Sequence, residues 1–273
     1  MKTVFKFAAL LVAVACVKTT GATARVTSNP PHWEMILDHD PVKRDSNFYL
    51  FLLIGQSNMS GRAPLDPDEK TNPRILMLNK ENQWVVAKDP LHFDKPKVAG
   101  VGPGLGFAKA LLKHLPKGAR IGLIPCAWGG SPIRVWQPDS VYLHHHPYDE
   151  AIARTKVAMQ SGVLSGILWH QGESDNSPQK AARYLDEIRQ LVRRLRSDLD
   201  APRVPFIAGE IGYFHKQDYI NPVIDKIPSV VPLTSVVSAK GLKDKGDKTH
   251  FNTASARELG KRYAKAFLRM NHR

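Results

Sequence analysis

The sequence Asn47-Phe-Tyr-Leu-Phe-Leu-Leu-Ile-Gly-Gln-Ser-Asn-Met-Ser-Gly-Arg62 joins an apolar run to a short polar turn. Residues 48–54 are all aromatic or aliphatic, which predicts a strand buried on both faces, as in a parallel sheet. Gly55 ends this run, and a polar segment that contains Ser57 follows at once. Reacting groups collect at the carboxyl edge of the sheet in open α/β folds. We therefore interpret Ser57 as a candidate nucleophile at the end of a central strand.

Apolar strand candidates alternate with helical segments along the rest of the chain. Strands are predicted at residues 74–79, 83–87, 120–125, 163–169, 205–209 and 230–237. Helices are predicted at residues 107–115, 147–160, 178–199, 218–227 and 254–269, the last capped by Thr253. This alternation predicts an α/β fold in which a mostly parallel central sheet lies between two layers of helices. We expect a single domain over residues 47–273.

The N-terminal residues have the three-part order of a secretory signal peptide. Lys2 and Lys6 precede an apolar run at residues 7–17, and Ala22-Thr-Ala24 supplies a small-x-small cleavage site. The run is too short to span a membrane. We therefore expect residues 1–24 to be a signal peptide and the protein to be secreted or periplasmic.

Residues 25–46 are polar and contain three prolines, which predicts an irregular lead-in. The sequence Ala13-Val-Ala-Cys16 loosely resembles a bacterial lipoprotein cleavage box, so lipid attachment at Cys16 is an alternative to secretion. If cleavage follows Ala24 instead, Cys126 is the single cysteine left, and a core of this size can hold without a disulfide. Cys126 follows an apolar strand and is interpreted as a small buried hydrophobic residue.

The chain is strongly basic, with a formal net charge of +14 at pH 7. Such a surface can attract anionic polymers. We find no nucleic-acid-binding motif and no interleaving of aromatic and basic residues, so we expect a solvated basic surface and no nucleic-acid partner. His144-His-His146 has metal-binding side chains, but consecutive histidines do not share a face and no further ligand spacing completes a site.

A glycine-rich segment, residues 99–106, precedes the helix predicted at 107–115. Its spacing does not fit the dinucleotide-binding pattern, and no obvious strand leads into it, which excludes that function. A tight turn whose main-chain N–H groups face an anion remains as an interpretation.

A serine nucleophile needs a base, which is usually a histidine oriented by a carboxylate. Asp247 and His250 lie three residues apart in a loop before the last helix, so one turn can bring the carboxylate to the imidazole. Acyl transfer also needs hydrogen-bond donors for the developing oxyanion. The candidates are the Ser57 N–H, a glycine N–H near Gly104 and the side chain of Gln171.

These residues lie in four blocks that resemble the SGNH hydrolases. The blocks are Gly55-Gln-Ser-Asn-Met-Ser-Gly-Arg62, Gly102-Pro-Gly104, Trp169-His-Gln-Gly-Glu-Ser-Asp175 and Asp247-x-x-His250. They are most similar to the carbohydrate-esterase branch that contains acetylxylan esterases and sialate O-acetylesterase-like proteins. The resemblance implies a flavodoxin-like α/β/α sandwich, hydrolysis of acetyl esters on sugars, and no metal or organic cofactor.

Carried over position by position, the resemblance implies that Ser57 is the nucleophile, His250 the base and Asp247 the orienting acid. Gly104 and Gln171 match the oxyanion-hole donors. Gln171 stands where many relatives of the wider superfamily carry asparagine.

Glu173 is an alternative acid, because some members of the branch are described with a glutamate in that role. We favour Asp247, since its spacing from the base needs no long-range coincidence. Three further side chains are candidates for substrate binding. Trp128 follows a strand end and can stack on a sugar ring, Arg134 can bind a carboxylate or hydroxyl, and Arg62 either anchors the turn or meets the substrate.

The first functional hypothesis is a secreted serine esterase that hydrolyses O-acetyl esters on a carbohydrate of the acetylxylan or sialate type. The second is a non-catalytic carbohydrate-binding protein that kept the fold. A lipid esterase or thioesterase would need a long apolar cleft, and the sequence has no apolar lid segment. An acetylated carbohydrate is the expected partner, although the substrate loops carry no pattern that identifies the sugar.

Overall fold

One sheet of seven strands is seen in the computed structural model, which describes residues 44–214 and 217–271. In chain order these strands are β1 (Phe48–Gly55), β2 (Ile75–Leu78), β3 (Trp84–Val86), β4 (Arg120–Pro125), β5 (Val163–His170), β6 (Phe206–Gly209) and β7 (Thr234–Val237). Their spatial order is β3-β2-β4-β1-β5-β6-β7, and only the β2–β3 pair is antiparallel. The predicted mostly parallel central sheet is confirmed.

Helices cover both faces of this sheet. In chain order they are α1 (Ser57–Ser60), α2 (Pro103–Leu112), α3 (Pro147–Ala158), α4 (Pro178–Asp198), α5 (Asn221–Ile224), α6 (Ile227–Val230) and α7 (Thr253–Asn271). Helices α2 and α7 pack on one face of the sheet, and α3 and α4 pack on the other. The three-layer α/β/α architecture expected from the sequence is therefore confirmed.

Strand β1 is buried on both faces, which is why its sequence is an unbroken apolar run. Its even-numbered residues from Phe48 to Ile54 belong to the cluster that contains α3 and α4. Phe51 and Leu53 belong to the opposite cluster, with α2 and α7. Successive side chains of a strand point to opposite faces, so one strand supplies both halves of the core.

The strand order places a topological switch point beside β1. The consecutive parallel strands β4, β1, β5, β6 and β7 have the order 2-1-3-4-5 of flavodoxin-like folds, and the β2–β3 hairpin extends the sheet beyond β4. Chain connections leave β1 in opposite directions at such a point, which opens a crevice outside the carboxyl ends of the strands. Ser57 and the residues after β5 lie at this crevice.

The glycine-rich segment, residues 99–106, is interpreted from the sequence as a tight turn, and part of it is helical in the structure, because helix α2 begins at Pro103. A Cβ built on Gly106 would lie 2.8 Å from the Arg257 main-chain oxygen, and one on Gly260 would lie 2.2 Å from the Pro103 oxygen. These glycines therefore allow α2 and α7 to cross at close range.

Two predicted boundaries near the C-terminus are wrong. The helix predicted at 218–227 is the short pair α5 and α6, and the strand predicted at 230–237 begins at Thr234, because α6 extends to Val230. The cap of α7 is Asn252, whose Oδ1 accepts the Ser255 N–H at 2.9 Å. Thr253 instead donates its hydroxyl to the Pro64 oxygen at 2.7 Å.

The predicted signal peptide, the Cys16 alternative and nearly all of the lead-in lie outside the described residues. Among the residues that are described, no helix is long and apolar enough to cross a membrane. Described residues fall in one compact unit, Pro41–Arg273.

Candidate active site

Ser57 is placed by a close approach of two strands. The main-chain N–H of Gln56 donates to the His170 oxygen at 2.9 Å, which continues the β1–β5 pairing to the end of the strand. Gly55 has a φ of +127°, and a Cβ there would lie 2.1 Å from that same oxygen. Only glycine fits this position. The chain then turns directly into α1, whose first residue is Ser57.

Ser57, His250 and Asp247 form a hydrogen-bonded chain. His250 Nε2 lies 3.0 Å from Ser57 Oγ, and His250 Nδ1 lies 2.7 Å from Asp247 Oδ2. The second carboxylate oxygen of Asp247 accepts the N–H groups of Thr249 at 3.0 Å and His250 at 2.8 Å. One local turn thus sets the carboxylate, and the distances suit proton transfer from the serine hydroxyl to the imidazole.

Asp247 is kept ionised by its hydrogen bonds. Partial burial opposes ionisation, but the N–H groups of His250 and Thr249 and the His250 ring together lower the pKa of Asp247 to about 2. An ionised acceptor holds the proton of His250 on Nδ1. Nε2 is then free to accept the proton of Ser57.

Glu173 lies in the same cleft in a different environment. Its side chain is only 6% exposed and its Oε1 lies 3.9 Å from His170 Nε2. Asn58 Nδ2 donates to Oε1 at 2.5 Å. Burial is the main cause that raises the pKa of Glu173, and the nearby charge of Asp175 adds to it. Within the described residues no hydrogen bond joins Glu173 to His250, whose Nδ1 is taken by Asp247.

The Gln171 side chain is committed to a buried network. Its Nε2 lies 2.6 Å from Asp175 Oδ2, 3.1 Å from Gln56 Oε1 and 3.2 Å from the Ser131 oxygen. Two amide hydrogens already face three acceptors there, and the residue is fully buried. From the sequence we expect this amide to face the oxyanion. In the structure its hydrogens are instead used inside the buried network beside the turn that follows β5.

Gly104 also lies away from the cleft. It is the second residue of α2, and a Cβ built on it would lie 2.7 Å from the side chains of Leu53 and Leu91, both in the core. The cleft beside Ser57 is instead lined by Gly129 and Gly130, which follow strand β4. The glycines at the cleft therefore follow β4, the strand that pairs with β1.

The loop with these glycines is anchored by an ion pair. Asp94 Oδ2 accepts the Gly129 N–H at 2.8 Å and pairs with the guanidinium of Arg62, which also donates to the Gly61 oxygen at 2.7 Å. Both charged side chains are nearly inaccessible, at 1% and 5% exposure. Arg62 thus links the turn that carries Ser57 to Asp94, and it also lines the cavity beside Ser57.

Two residues that line this cleft, Ser57 and Gly130, have main-chain N–H groups with no partner among the described residues. Gly130 is held by its own oxygen, which accepts from Ser174 Oγ at 2.9 Å. Both residues line the cavity of about 590 Å³ that also contains His250. Preorganised N–H groups of this kind can stabilise an oxyanion.

A family model described as "Carbohydrate esterase, sialic acid-specific acetylesterase" matches residues 47–269. The chain belongs to this family. It is accordingly a carboxylic ester hydrolase of the carbohydrate O-acetylesterase kind. The matched range begins just before β1 and ends within α7, so it contains the whole cleft described above.

Individual relatives agree with this assignment. A probable carbohydrate esterase of Arabidopsis thaliana is 35% identical over 244 residues, which cover 80% of this chain and 90% of that protein. Its X-ray structure aligns with a TM-score of 0.74 at 34% identity, covering 82% of the esterase and 99% of the plant chain.

Two further comparisons have lower sequence identity. A probable 9-O-acetyl-N-acetylneuraminic acid deacetylase of Escherichia coli is 22% identical over 227 residues, covering 63% of the esterase and 69% of that protein. The crystal structure of NanS aligns with a TM-score of 0.68 at 19% identity, covering 84% and 99% of the two chains.

Two candidate substrate residues of the esterase lie outside the Ser57 cleft. Trp128 faces an adjacent cavity, where its ring centroid lies 4.0 Å from that of His145. Arg134 is exposed in a short 3₁₀ segment, and its charge acts on Glu187 of α4. Neither side chain lines the cavity that contains Ser57.

His145 lies on the surface, and Cys126 lies in the core. His145 Nδ1 lies 3.1 Å from Glu150 Oε1 on the surface. Among the described residues, no group of three or more His, Cys, Asp or Glu side chains is arranged to hold a metal ion. Cys126 is buried as predicted, and burial raises the pKa of its thiol to about 11.

Sequence analysis missed Asp94 as an anchor and Gly130 as a cleft residue. The sequence did contain a signal for Gly130, because a Gly-Gly pair follows a predicted buried strand at the carboxyl edge of the sheet. It contained no comparable signal for Asp94, which depends on contacts 32 and 35 residues away in the chain.

Proposed function

We propose that the esterase removes O-acetyl groups from a carbohydrate through an acetyl-serine intermediate on Ser57. The observation that carries this proposal is the hydrogen-bonded chain from Ser57 through His250 to Asp247, with distances of 3.0 and 2.7 Å. These three residues lie at a cleft whose unpaired main-chain N–H groups can stabilise an oxyanion. A purely carbohydrate-binding protein would have no use for this combination.

In the first half-reaction His250 Nε2 takes the proton of Ser57 as Oγ bonds to the acetyl carbonyl carbon. The carbonyl oxygen becomes an oxyanion, which we assign to the N–H groups of Ser57 and Gly130. The bond between that carbon and the sugar oxygen then breaks, and His250 gives its proton to the departing sugar hydroxyl.

In the second half-reaction a water molecule attacks the acetyl-serine. His250 takes one proton from the water and passes it to Ser57 Oγ as acetate leaves. Asp247 stays ionised throughout and stabilises the imidazolium that forms in each half-reaction. No residue in this cycle changes its oxidation state, and the cycle uses only this chain, the ester and water.

The sialate type is the first substrate we propose, with acetylxylan as the second. The Escherichia coli relative bears the name of a 9-O-acetyl-N-acetylneuraminic acid deacetylase, and the family description names sialic acid. The cleft itself contains Lys95, which is exposed, and Lys245, which lies 3.6 Å from Asp247 Oδ2. The ammonium group of Lys95 would attract a sugar carboxylate.

We further propose that the esterase acts outside the cytoplasm, because residues 1–24 have the pattern of a secretory signal peptide.

The decisive experiment compares wild type with Ser57→Ala on p-nitrophenyl acetate, O-acetylated sialic acid and acetylxylan. We expect the variant to lose at least about 10⁴-fold in kcat, since removal of a serine nucleophile leaves only residual catalysis. Ser60→Ala is the matched control, because Ser60 is buried in the same turn and its hydroxyl donates to the Gln56 oxygen at 3.3 Å. Full activity of Ser57→Ala would refute the nucleophile.

The wild-type result separates the two functional hypotheses. Turnover of an acetylated sugar supports the esterase, and the preferred ester identifies the sugar class. Saturable binding of glycans without release of acetate would instead support the non-catalytic carbohydrate-binding protein.

A further inference from the structure

Asn58 contacts the main chain on both sides of His250. Its Nδ2 donates to the Thr249 oxygen at 3.0 Å, and its Oδ1 accepts the Phe251 N–H at 3.1 Å. Asn58 is 4% exposed, so water does not compete strongly for these bonds. One amide therefore fixes the peptide units before and after the base.

Glu173 sets the orientation of this amide. The second hydrogen of Asn58 Nδ2 points to Glu173 Oε1 at 2.5 Å, so both amide hydrogens and the carbonyl are used. A flipped amide would place its oxygen against Glu173 and the Thr249 oxygen, and its NH₂ group against the Phe251 N–H. The contacts with the Thr249 oxygen and the Phe251 N–H would become repulsive, so a single orientation is allowed.

The hydrogen bonds of Asn58 connect two segments that are far apart in the sequence. It directly follows Ser57 in α1, whereas His250 lies on a loop near the other end of the sequence. Most other hydrogen bonds of that loop are internal, such as the Lys245 N–H to the His250 oxygen at 2.9 Å. A second tie to the Ser57 turn runs from Lys245 Nζ to the Arg62 oxygen at 3.0 Å.

We propose that Asn58 is a positioning residue that sets the distance between His250 and Ser57, and that Glu173 acts by holding the Asn58 amide. Within the described part of the chain, the Asn58 side chain makes no hydrogen bond to the Ser57 hydroxyl, and it acts through the main chain next to the base. This role rests on the proposed function, since it concerns the same nucleophile and base. It also gives Glu173 a use that does not require contact with His250.

The expected effect is on the chemical step. Misplacing a catalytic group by about 1 Å can cost about 100-fold in rate. Substrate binding does not involve the buried amide, so KM should change little while kcat falls. A residue that served only stability would lower the melting temperature without this division between kcat and KM.

The test compares Asn58→Ala with Asn221→Ala as a matched control. Asn221 is 2% exposed, and its amide likewise contacts both the N–H and the oxygen of one residue, Ile211, at 2.9 and 3.1 Å. Both variants lose a buried amide, but Asn221 lies outside the catalytic chain. We expect Asn58→Ala to lose about 30- to 100-fold in kcat, with KM within about threefold of wild type. Asn221→Ala should keep kcat.

Glu173 provides a rescue experiment. Glu173→Ala frees the Asn58 amide and should lower kcat by about tenfold. Glu173→Gln retains an oxygen acceptor for Asn58 Nδ2 and should restore most of that loss. Equal losses in the two Glu173 variants would contradict the proposed role, because they would require the carboxylate charge itself.

An activity-independent measurement completes the test. Hydrogen exchange of residues 249–251 should accelerate at least about tenfold in Asn58→Ala, because the Phe251 N–H loses its acceptor. The same segment should be unchanged in Asn221→Ala. Unchanged exchange or wild-type kcat in Asn58→Ala would overturn the inference. If the wild type hydrolysed no acetyl ester, the proposed function would fail, while the exchange result would still decide whether Asn58 holds the loop.

Discussion

The cleft contains two carboxylates in opposite surroundings, one on the loop after β7 and one on the turn after β5. Asp247 has a side chain that is 37% exposed, yet three hydrogen-bond donors hold its pKa at about 2. Glu173 is 6% exposed and accepts one side-chain hydrogen bond, from Asn58, and burial raises its pKa. The more exposed carboxylate is thus the better stabilised anion.

This difference shows what an orienting acid needs. Donors that point at the carboxylate keep it charged, whereas burial without enough donors favours its neutral form. Asp247 meets this requirement through a turn of four residues, so the acid and the base are set by the same local structure. Glu173 is better suited to hold a neutral partner, and its partner is the amide of Asn58.

The largest expected effect is on catalysis by Asp247→Asn. The amide can no longer stabilise the imidazolium or favour the Nδ1-protonated tautomer, so kcat should fall by about 10³- to 10⁴-fold. Steady-state hydrolysis of p-nitrophenyl acetate measures it. Asp244→Asn is the control, because Asp244 lies in the same loop and, among the described residues, its side chain binds the N–H groups of Gly246 and Lys248 alone. A loss below about tenfold in Asp247→Asn would refute its role.

A third carboxylate, Asp94, tests whether the glycine loop matters to the reaction. Asp94→Asn leaves the buried guanidinium of Arg62 without its counter-ion, which should destabilise the protein by about 3–5 kcal/mol. The loop at Gly129 loses part of its anchor, so kcat should fall by about 10- to 100-fold at temperatures where the variant is folded.

Asp45→Asn is the matched control for this prediction. Asp45 pairs with Arg120 at 2.9 Å, but both side chains are about two-fifths exposed, at 40% and 43%. An exposed pair should contribute little to stability and nothing to kcat. If Asp94→Asn behaved like Asp45→Asn in thermal unfolding and kinetics, the anchoring role of Asp94 would be ruled out.

The smallest effects are opposite shifts of stability with pH. The folded pKa of Asp247 is about 2, below its ordinary 3.8, so its contribution is present above about pH 4 and is lost as the pH falls towards 2. Glu173 has a folded pKa above its ordinary 4.5, so it lowers stability as the pH rises above that value.

Melting temperatures of the two variants measure these shifts. Glu173→Gln should melt above wild type at pH 7.5, and the two proteins should melt at nearly the same temperature at pH 4. Asp247→Asn should lose about 2 °C or less at pH 6, because its exposed position screens the effect, and the loss should shrink at pH 3. Shifts of the same sign in both variants would contradict the contrast between the two environments.

Features that depend on neighbouring residues could be predicted from the sequence. The apolar run of β1 predicts a doubly buried strand, and the three-residue spacing of Asp247 and His250 predicts a local turn. Both patterns express physical requirements that act over a few residues. The alternation of strands and helices likewise predicts the three-layer fold.

Features that depend on the arrangement of strands could not be predicted in the same way. Gly104 and Gly130 both lie in glycine-containing segments, but the pairing of β4 with β1 brings Gly130 to the cleft. Asn58 depends on Thr249 and Phe251, which are 191 and 193 residues away. Local sequence patterns contain no information about such contacts.

The most direct test of the central claim, that Asp247 and not Glu173 orients His250, is the ratio of kcat between Glu173→Gln and Asp247→Asn on one acetyl ester. Both substitutions remove one negative charge and preserve the shape of the side chain. We predict that Glu173→Gln is at least about 100-fold faster than Asp247→Asn. A ratio near one, or a slower Glu173→Gln, would contradict this assignment of the acid.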